Sequence, residues 1–323
     1  MTIPIFPVRR ILGRFVAQPL PPAGTFDGQN VLITGGTGGL GLAAAMHYAA
    51  LGAQVFITSR NVARGQSAKK QIEQVSKFNG TDKVTVLELD MCSYESCVAL
   101  VGDLQKRFKG RGLDVAVLNA GTNNPIFTTT KEGWEETIQV NAVSTALLGL
   151  LLEEWLKEER PNRKSPSRLL FVTSRDHLYP SIEHWQEWGE TEGLLKHFSD
   201  KKYWPPSVRD EMEPNYANSK LLVMYAIEEI SQRANDANGK PQVIVNSVCP
   251  GTVNTNIAGH IADEGWSMKV GVATYMMISG KSPDAGARTF ITASLLPEEH
   301  HVRERSVEGG KLSPVSGSTS QLR

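Results

Sequence analysis

Cysteine is scarce in this chain of 323 residues, and Cys92, Cys97 and Cys249 form neither a disulfide framework nor a zinc-ligand spacing. A reducing compartment, the cytoplasm, is the expectation. Net charge is absent too: 34 basic residues balance 34 acidic ones, so no overall field favours a nucleic-acid partner. A membrane span is missing from the start of the chain. Residues 3–20 carry Arg9, Arg10 and Arg14 with no acid, and no apolar run there nears the roughly 20 residues that cross a bilayer. Those arginines also interrupt any signal-peptide core. His300-His301 is too isolated for a metal site, and no metal is expected.

What is present is an ordinary soluble composition, 40% hydrophobic and 21% charged, with room for a sizeable core. Pro19, Pro21, Pro22 and Gly24 punctuate the chain, so a single folded domain should start near Phe26, spanning 26–300. Residues 1–25 then form an N-terminal extension. It could lie on a membrane surface, act as a transit peptide or pack on its own domain. Residues 301–323, with Gly309-Gly310-Lys311, look like a tail.

Asn30-Val31-Leu32-Ile33-Thr34 is a short apolar run rich in β-branched residues, hence a buried strand. Gly35-Gly36-Thr37-Gly38-Gly39-Leu40-Gly41 follows at once and leads into an alanine-rich helix. Glycines there let the backbone approach a pyrophosphate, whose charge meets the free N–H groups of the helix start. A second strand, 54–58, ends in Ser59-Arg60-Asn61. The acidic residue that would bind the ribose hydroxyls of NAD is lacking, and Arg60 stands where it could pair with a 2′-phosphate, which favours NADP(H).

The alternation continues with helix 62–78, strand 84–89, helix 94–108, strand 115–118, helix 131–159, strand 169–173, helix 216–234 and strand 243–248. Six strands alternating with helices predict an α/β fold with a doubly wound parallel sheet of Rossmann type. Ligands of such sheets bind at the carboxyl ends of the strands. Polar residues gather there: Asp90, Asn119-Ala120-Gly121, Ser174 and Pro250-Gly251-Thr252. Asp90 could serve the adenine end of a nucleotide or the start of the next helix.

Tyr216 alone among the seven tyrosines has a lysine four residues on, Lys220. On a helix the two share one face. A lysine near a tyrosine hydroxyl favours the phenolate and lowers the phenol's pKa from about 10. Such a phenol can work as a general acid or base near neutral pH.

Together these motifs resemble the short-chain dehydrogenase/reductase family over residues 26–296, and its retinol-dehydrogenase-like and fungal biosynthetic branches in particular. Thr34-Gly35-x-x-x-Gly39-Leu40-Gly41 is similar to the family's cofactor loop, Asn119-Ala120-Gly121 to its motif after the fourth strand, and Asn141 to its helix asparagine. Ser174 and Tyr216-x-x-x-Lys220 match the catalytic residues, and Pro250-Gly251-x-Val253-x-Thr255 matches the segment holding the nicotinamide carboxamide. The resemblance implies that Ser174 binds the reacting oxygen and that Tyr216 exchanges the proton. It implies that Lys220 binds the ribose and lowers the tyrosine pKa, with Asn141 holding a water that links Lys220 to solvent. It also implies a lid after the Pro-Gly motif, where Trp266, Met268, Tyr275, Met276 and Met277 fall, although core packing explains those residues equally well. A homodimer built on helices 131–159 and 216–234 is a further implication.

Two departures stand out. Ser174 and Tyr216 lie 42 residues apart, and the intervening insertion, 178–214, holds Trp185, Trp188 and Trp204 with Phe198 and Tyr203. One or two short helices are expected in it. It could wall a pocket for a bulky apolar substrate, form a structural satellite, or make a dimer contact. At the other end, 302–308 is a poor strand candidate, so the sheet edge there should be irregular or incomplete. The function expected is interconversion of a ketone or aldehyde with an alcohol on a bulky lipophilic molecule, in secondary metabolism. An epimerase, a dehydratase, an enoyl reductase or a non-catalytic NADP-binding regulator are the alternatives.

Overall fold

The computed structural model describes residues 18–75, 83–204, 215–254 and 280–297, with two further strands, Arg305–Glu308 and Lys311–Pro314. Strand β1 (Asn30–Ile33) is buried along its whole length and leads into helix α1 (Gly39–Ala50). Then come β2 (Gln54–Ser59), α2 (Val62–Val75), β3 (Val84–Glu88), α3 (Tyr94–Arg107) and β4 (Val115–Leu118). A helical turn (Glu136–Ile138) and a π-helical stretch (Gln139–Ser144) run into α4 (Thr145–Glu158). Strand β5 (Ser167–Val172), the short helices α5 (Trp185–Thr191) and α6 (Leu194–Phe198), then α7 (Tyr216–Arg233), β6 (Val243–Cys249) and α8 (Pro283–Ala293) follow.

These six strands are all parallel, as the strand–helix alternation predicts, and they lie in the order β3-β2-β1-β4-β5-β6. Side chains alternate across β1: Val31 and Ile33 pack with Tyr48, Ile72 and Phe290 on one face, and Leu32 packs with Leu104, Leu152 and Ile227 on the other. Helices α1, α2 and α8 therefore cover one face, and α3, α4 and α7 the other. Each such buried aliphatic side chain contributes roughly 1.5–3 kcal/mol of transfer free energy. Buried on both faces, the central strands read as continuous apolar runs rather than alternating ones.

Two expectations need correction. The helix expected over 131–159 begins only at Glu136, because Gly133 adopts φ +90° in a turn closed by Thr130 and Trp134. The buried Glu135 carboxylate then accepts from the N–H groups of Thr137 and Ile138 (3.0 and 3.1 Å) and starts the helix. The sheet edge is not irregular either. Arg305–Glu308 forms β7, parallel to β6, and Lys311–Pro314 forms β8, antiparallel to β7. The open backbone groups of β6 need partners whatever side chains the next segment carries, so pairing overrides weak strand propensity.

The insertion builds its own small core. Trp185 and Phe198 are buried with Ile138 and Leu221, and Trp188, Leu194, Leu195 and Tyr225 close around them. Two of the three insertion tryptophans are thus committed to packing α5 and α6 against the start of α7. His197 lies stacked between Trp188 and Tyr203, with ring centroids 3.8 Å away on each side. Only Trp204 leaves this cluster, meeting Phe127 of the loop after β4 edge to face at 5.3 Å. Thr255, the lid candidates at 266–277, His300-His301, residues 205–214 of the insertion and the arginine-bearing start of the chain lie outside the described residues. No helix among the described residues is long and apolar enough to cross a membrane.

Candidate active site

The sheet changes winding direction between β1 and β4, and a crevice at such a point is where open α/β sheets bind ligands. The loops after these two strands are tied together there. Thr34 Oγ1 accepts from the backbone N–H groups of Asn119 and Ala120, at 2.9 Å each, and donates to the Val117 carbonyl at 3.5 Å. Its proton and both lone pairs are spent, so Thr34 shapes the crevice and has no polar valence left for a ligand. Asn119 Nδ2 donates to the Thr34 carbonyl at 2.9 Å and the Gly35 carbonyl at 3.4 Å, a bracing role.

The glycines are explained by this closeness. Gly35 (φ +66°) and Gly39 (φ +52°) hold left-handed backbone that L side chains rarely adopt. At Gly41 a Cβ would stand 2.4 Å from the Gly35 carbonyl oxygen and 2.6 Å from Asn119 Nδ2. Helix α1 opens at Gly39 with no side-chain cap and no acidic residue in its first turn. Its first N–H groups are available to an anion, and the helix dipole favours one. This cradle fits a pyrophosphate.

Around it stand the other nucleotide candidates. Arg60 is exposed just past the end of β2. Arg64, which sequence reasoning passed over, reaches back so that its Nη2 lies 3.2 Å from where a Gly38 Cβ would be. Asp90 is half-buried after β3, and its carboxylate accepts from Cys92 N–H at 3.0 Å. Ser93, not Asp90, caps α3, accepting from Ser96 N–H. Leu40 and Val253 meet at Gly286 of α8, where a Cβ would crowd both at 2.8 and 2.7 Å. The segment around Val253 is pinned by Lys281, whose N–H donates to the Thr252 carbonyl while its own carbonyl accepts from Asn254 N–H, at 2.9 Å each.

The catalytic candidates converge on the face of α7 turned toward the ends of β4 and β5. Lys220 is buried, donates from Nζ to the Val172 carbonyl at 3.3 Å, and lies 5.5 Å from the Tyr216 ring centroid. Burial pulls its ammonium down to about 8, partly offset by the negative character of Cys249 and Asp176. Asn141 sits in the π-helical stretch, a kind of helix interruption that recurs at functional sites. Its carboxamide accepts from Thr122 N–H (2.9 Å) and donates to the Thr122 carbonyl (2.8 Å) and Ser219 Oγ (3.1 Å). Asn141 therefore braces the β4 loop against α7, one residue from Lys220. Gly121 completes the junction, with Asn141 Oδ1 and Lys220 Nζ 3.1 and 3.8 Å from its would-be Cβ. Ser174 follows β5, caps the short helix Arg175–Leu178, and donates from Oγ to Asp176 Oδ2 at 2.8 Å. That helix packs on α7.

Sequence reasoning missed Asp176, Ser219, Glu135 and Lys281. Their roles depend on contacts between segments distant in sequence, or on a local turn that no spacing announces. Among the described residues no group of three or more histidines, cysteines or carboxylates is placed to hold a metal.

Comparisons with known proteins agree with this geometry. The short chain dehydrogenase family model matches residues 29–184. The short-chain dehydrogenase/reductase phmF of Phaeosphaeria nodorum is 33% identical over 281 residues, covering 87% of this chain and 78% of that one. The short-chain dehydrogenase/reductase ffsI of Aspergillus flavipes is 30% identical over 284 residues, covering 88% and 78%. Among solved structures, L-sorbose reductase from Gluconobacter frateurii, complexed with NADPH and L-sorbose, superposes with a TM-score of 0.60 at 19% identity, covering 84% of this chain and 90% of that one. The RhlG/NADP complex of Pseudomonas aeruginosa does so with a TM-score of 0.60 at 19% identity, covering 86% and 96%. The glycine cradle, the Tyr216–Lys220 face of α7 and these relatives lead to one assignment: the chain is a member of the short-chain dehydrogenase/reductase family.

Proposed function

We propose that the protein is an NADP(H)-dependent oxidoreductase that interconverts a ketone or aldehyde with an alcohol on a bulky, lipophilic small molecule. The observation that carries this reading is Lys220, buried on the Tyr216 face of α7 with its ammonium lowered to about 8. A buried cation beside a phenol has a large solvation cost and a direct use in proton transfer.

The preference for NADP(H) is supported by Arg64 beside the glycine turn, by the exposed Arg60 at the end of β2, and by NADP-bound structural neighbours. The diphosphate would lie against Gly35, Gly39, Leu40 and Gly41, the adenosine end toward Arg60 and Asp90, and the nicotinamide end toward Val253 and Thr255. NADP(H), when bound, supplies the hydride. The chain's own residues do the rest. Tyr216 gives its phenolic proton to the developing alkoxide in reduction and takes it back in oxidation. Lys220 has N–H groups for the ribose hydroxyls and places a positive charge next to the phenol. Ser174 orients the reacting oxygen. Asn141 fixes the junction from which solvent restores the proton.

Support for a bulky, lipophilic substrate comes from the rim, not from the insertion's buried tryptophans. Leu178 and Tyr179, just past Ser174, are 48% and 74% exposed, and Ile126 in the loop after β4 is 71% exposed. The resemblance to fungal biosynthetic members extends the proposal to secondary metabolism, in a reducing cytoplasmic setting that suits three free cysteines. The test is NADPH and NADH consumption with a panel of bulky aryl and polycyclic ketones. Stoichiometric alcohol formation, faster with NADPH, is expected. Cofactor binding without consumption across the panel would favour a regulatory protein instead.

A further inference from the structure

We propose that Asn215 is a positioning residue for Tyr216, and that Glu135 and the end of α6 are the anchors against which it holds the start of α7. The inference rests on the reading above, in which Tyr216 exchanges the proton. Asparagine is favoured at a helix start because its side chain can cap the first free N–H groups. Asn215 occupies that place and is buried, yet its side chain makes no such cap. Both amide protons leave the helix instead, one to Glu135 Oε2 at 3.0 Å and one to the Phe198 carbonyl at 2.9 Å. A carboxylate and a carbonyl only accept, so the amide meets both through its nitrogen, and its orientation is fixed.

Tyr216 is the next residue, and a second link lies one turn further on. The Asn215 carbonyl accepts from Ser219 N–H at 2.8 Å. Ser219 Oγ accepts from Asn141 Nδ2 at 3.1 Å and donates to the Tyr216 carbonyl at 2.7 Å. Glu135 caps the helical run that carries Asn141, and Asn215 and Ser219 belong to the start of α7. The two runs are therefore tied at two levels. A single tie would let α7 swivel about it. Two ties fix its rotation and its slide, and with them the places of Tyr216 and Lys220. A misplacement of about 1 Å at a reacting group costs on the order of 100-fold in rate. Phe198 is the last residue of α6, so the insertion supports the same registration through the backbone.

The test compares Asn215→Ala and Asn215→Ser with the wild type. NADPH affinity is read by fluorescence titration, and turnover with NADPH and a bulky aryl ketone. The Tyr216 phenol is read, with NADP+ bound, by ultraviolet difference titration of each protein against its own Tyr216→Phe counterpart. In Asn215→Ala, kcat should fall roughly 10–100-fold while NADPH affinity stays within about 3-fold. The phenol, no longer held beside the Lys220 ammonium, should titrate about one pH unit higher. Asn215→Ser, with one proton for two acceptors, should lie between, and it decides by the same readings if the alanine variant does not fold. A wild-type kcat overturns the proposal. So does a reduced kcat with an unmoved phenol, which is the mark of a merely structural residue. A wild type inactive on every ketone would sink the oxidoreductase reading instead, and the phenol titration would still decide the role of Asn215.

Discussion

Asn215, the residue before Tyr216, donates from Nδ2 to the fully buried carboxylate of Glu135 at 3.0 Å. The same amide donates to the Phe198 carbonyl at 2.9 Å, and Glu135 N–H donates to Ser199 Oγ at 3.0 Å. One buried acid thus joins the start of the helix that carries Asn141, the end of α6 in the insertion and the start of α7. Desolvation pushes Glu135 up, and its backbone and Asn215 bonds oppose that shift. Replacing it by alanine leaves two backbone N–H groups without their acceptor and removes one of the two bonds of the Asn215 amide. Glu135→Ala should cost about 3 kcal/mol or more in urea denaturation, whereas Glu135→Gln, which keeps one acceptor oxygen, should cost less.

Lys220 is a stability–activity trade. Its folded pKa, about 8, lies below the 10.5 of a free lysine. Between those values the unfolded chain binds more protons, so this group makes stability rise with pH across that window. Below about pH 8 both states are protonated and the full cost of burying the cation applies, on the order of 3 kcal/mol. Lys220→Met should therefore raise the Tm of the cofactor-free protein at pH 7, lose that advantage above about pH 10, and abolish turnover. A Met variant less stable than wild type at pH 7 would contradict the burial argument.

At Gly41 the nearest obstacle is the Gly35 backbone carbonyl, which cannot swing away as a side chain can. Gly41→Ala should lower stability by about 2 kcal/mol through overpacking and weaken NADPH binding at least about 10-fold. Fluorescence titration of NADPH against the variant checks the second part. Retained affinity would mean the cradle can widen.

The insertion makes a different prediction. Trp185 is 4% exposed and touches Phe198 and Tyr225 edge to face at 5.4 and 6.5 Å. Trp185→Ala should remove about 3–5 kcal/mol of packing from this small core. Limited proteolysis should then cut within 178–204 first, and NADPH binding should stay intact. Equal loss of cofactor binding would show that the insertion and the nucleotide site fold as one unit.

The six strands of the parallel sheet, the glycine turn and the Tyr216–Lys220 pair were legible because each rests on local spacing. Apolar runs mark strands buried on both faces, and four-residue spacing puts Tyr216 and Lys220 on one helical face. The rest depended on contacts that spacing cannot encode. Thr34 is matched to the cofactor loop by motif, yet its hydroxyl is spent on the backbone of Asn119 and Ala120. The tryptophans at 185 and 188 had the composition of a pocket wall, and α7 claimed them for packing. The β7 edge escaped notice because strand propensity measures side-chain fit, while β6 offers backbone partners to whatever segment lies next to it.

The central claim is that Tyr216 is the proton donor on a face energised by Lys220, and one substitution isolates it. Tyr216→Phe removes a single oxygen and keeps the ring that Lys220 faces. NADPH affinity by fluorescence titration and ketone-dependent NADPH oxidation should be measured on the same preparation. The account predicts affinity within about 3-fold of wild type and turnover reduced by at least about 100-fold, the low end for loss of general acid catalysis. Full turnover by the Phe variant would contradict it.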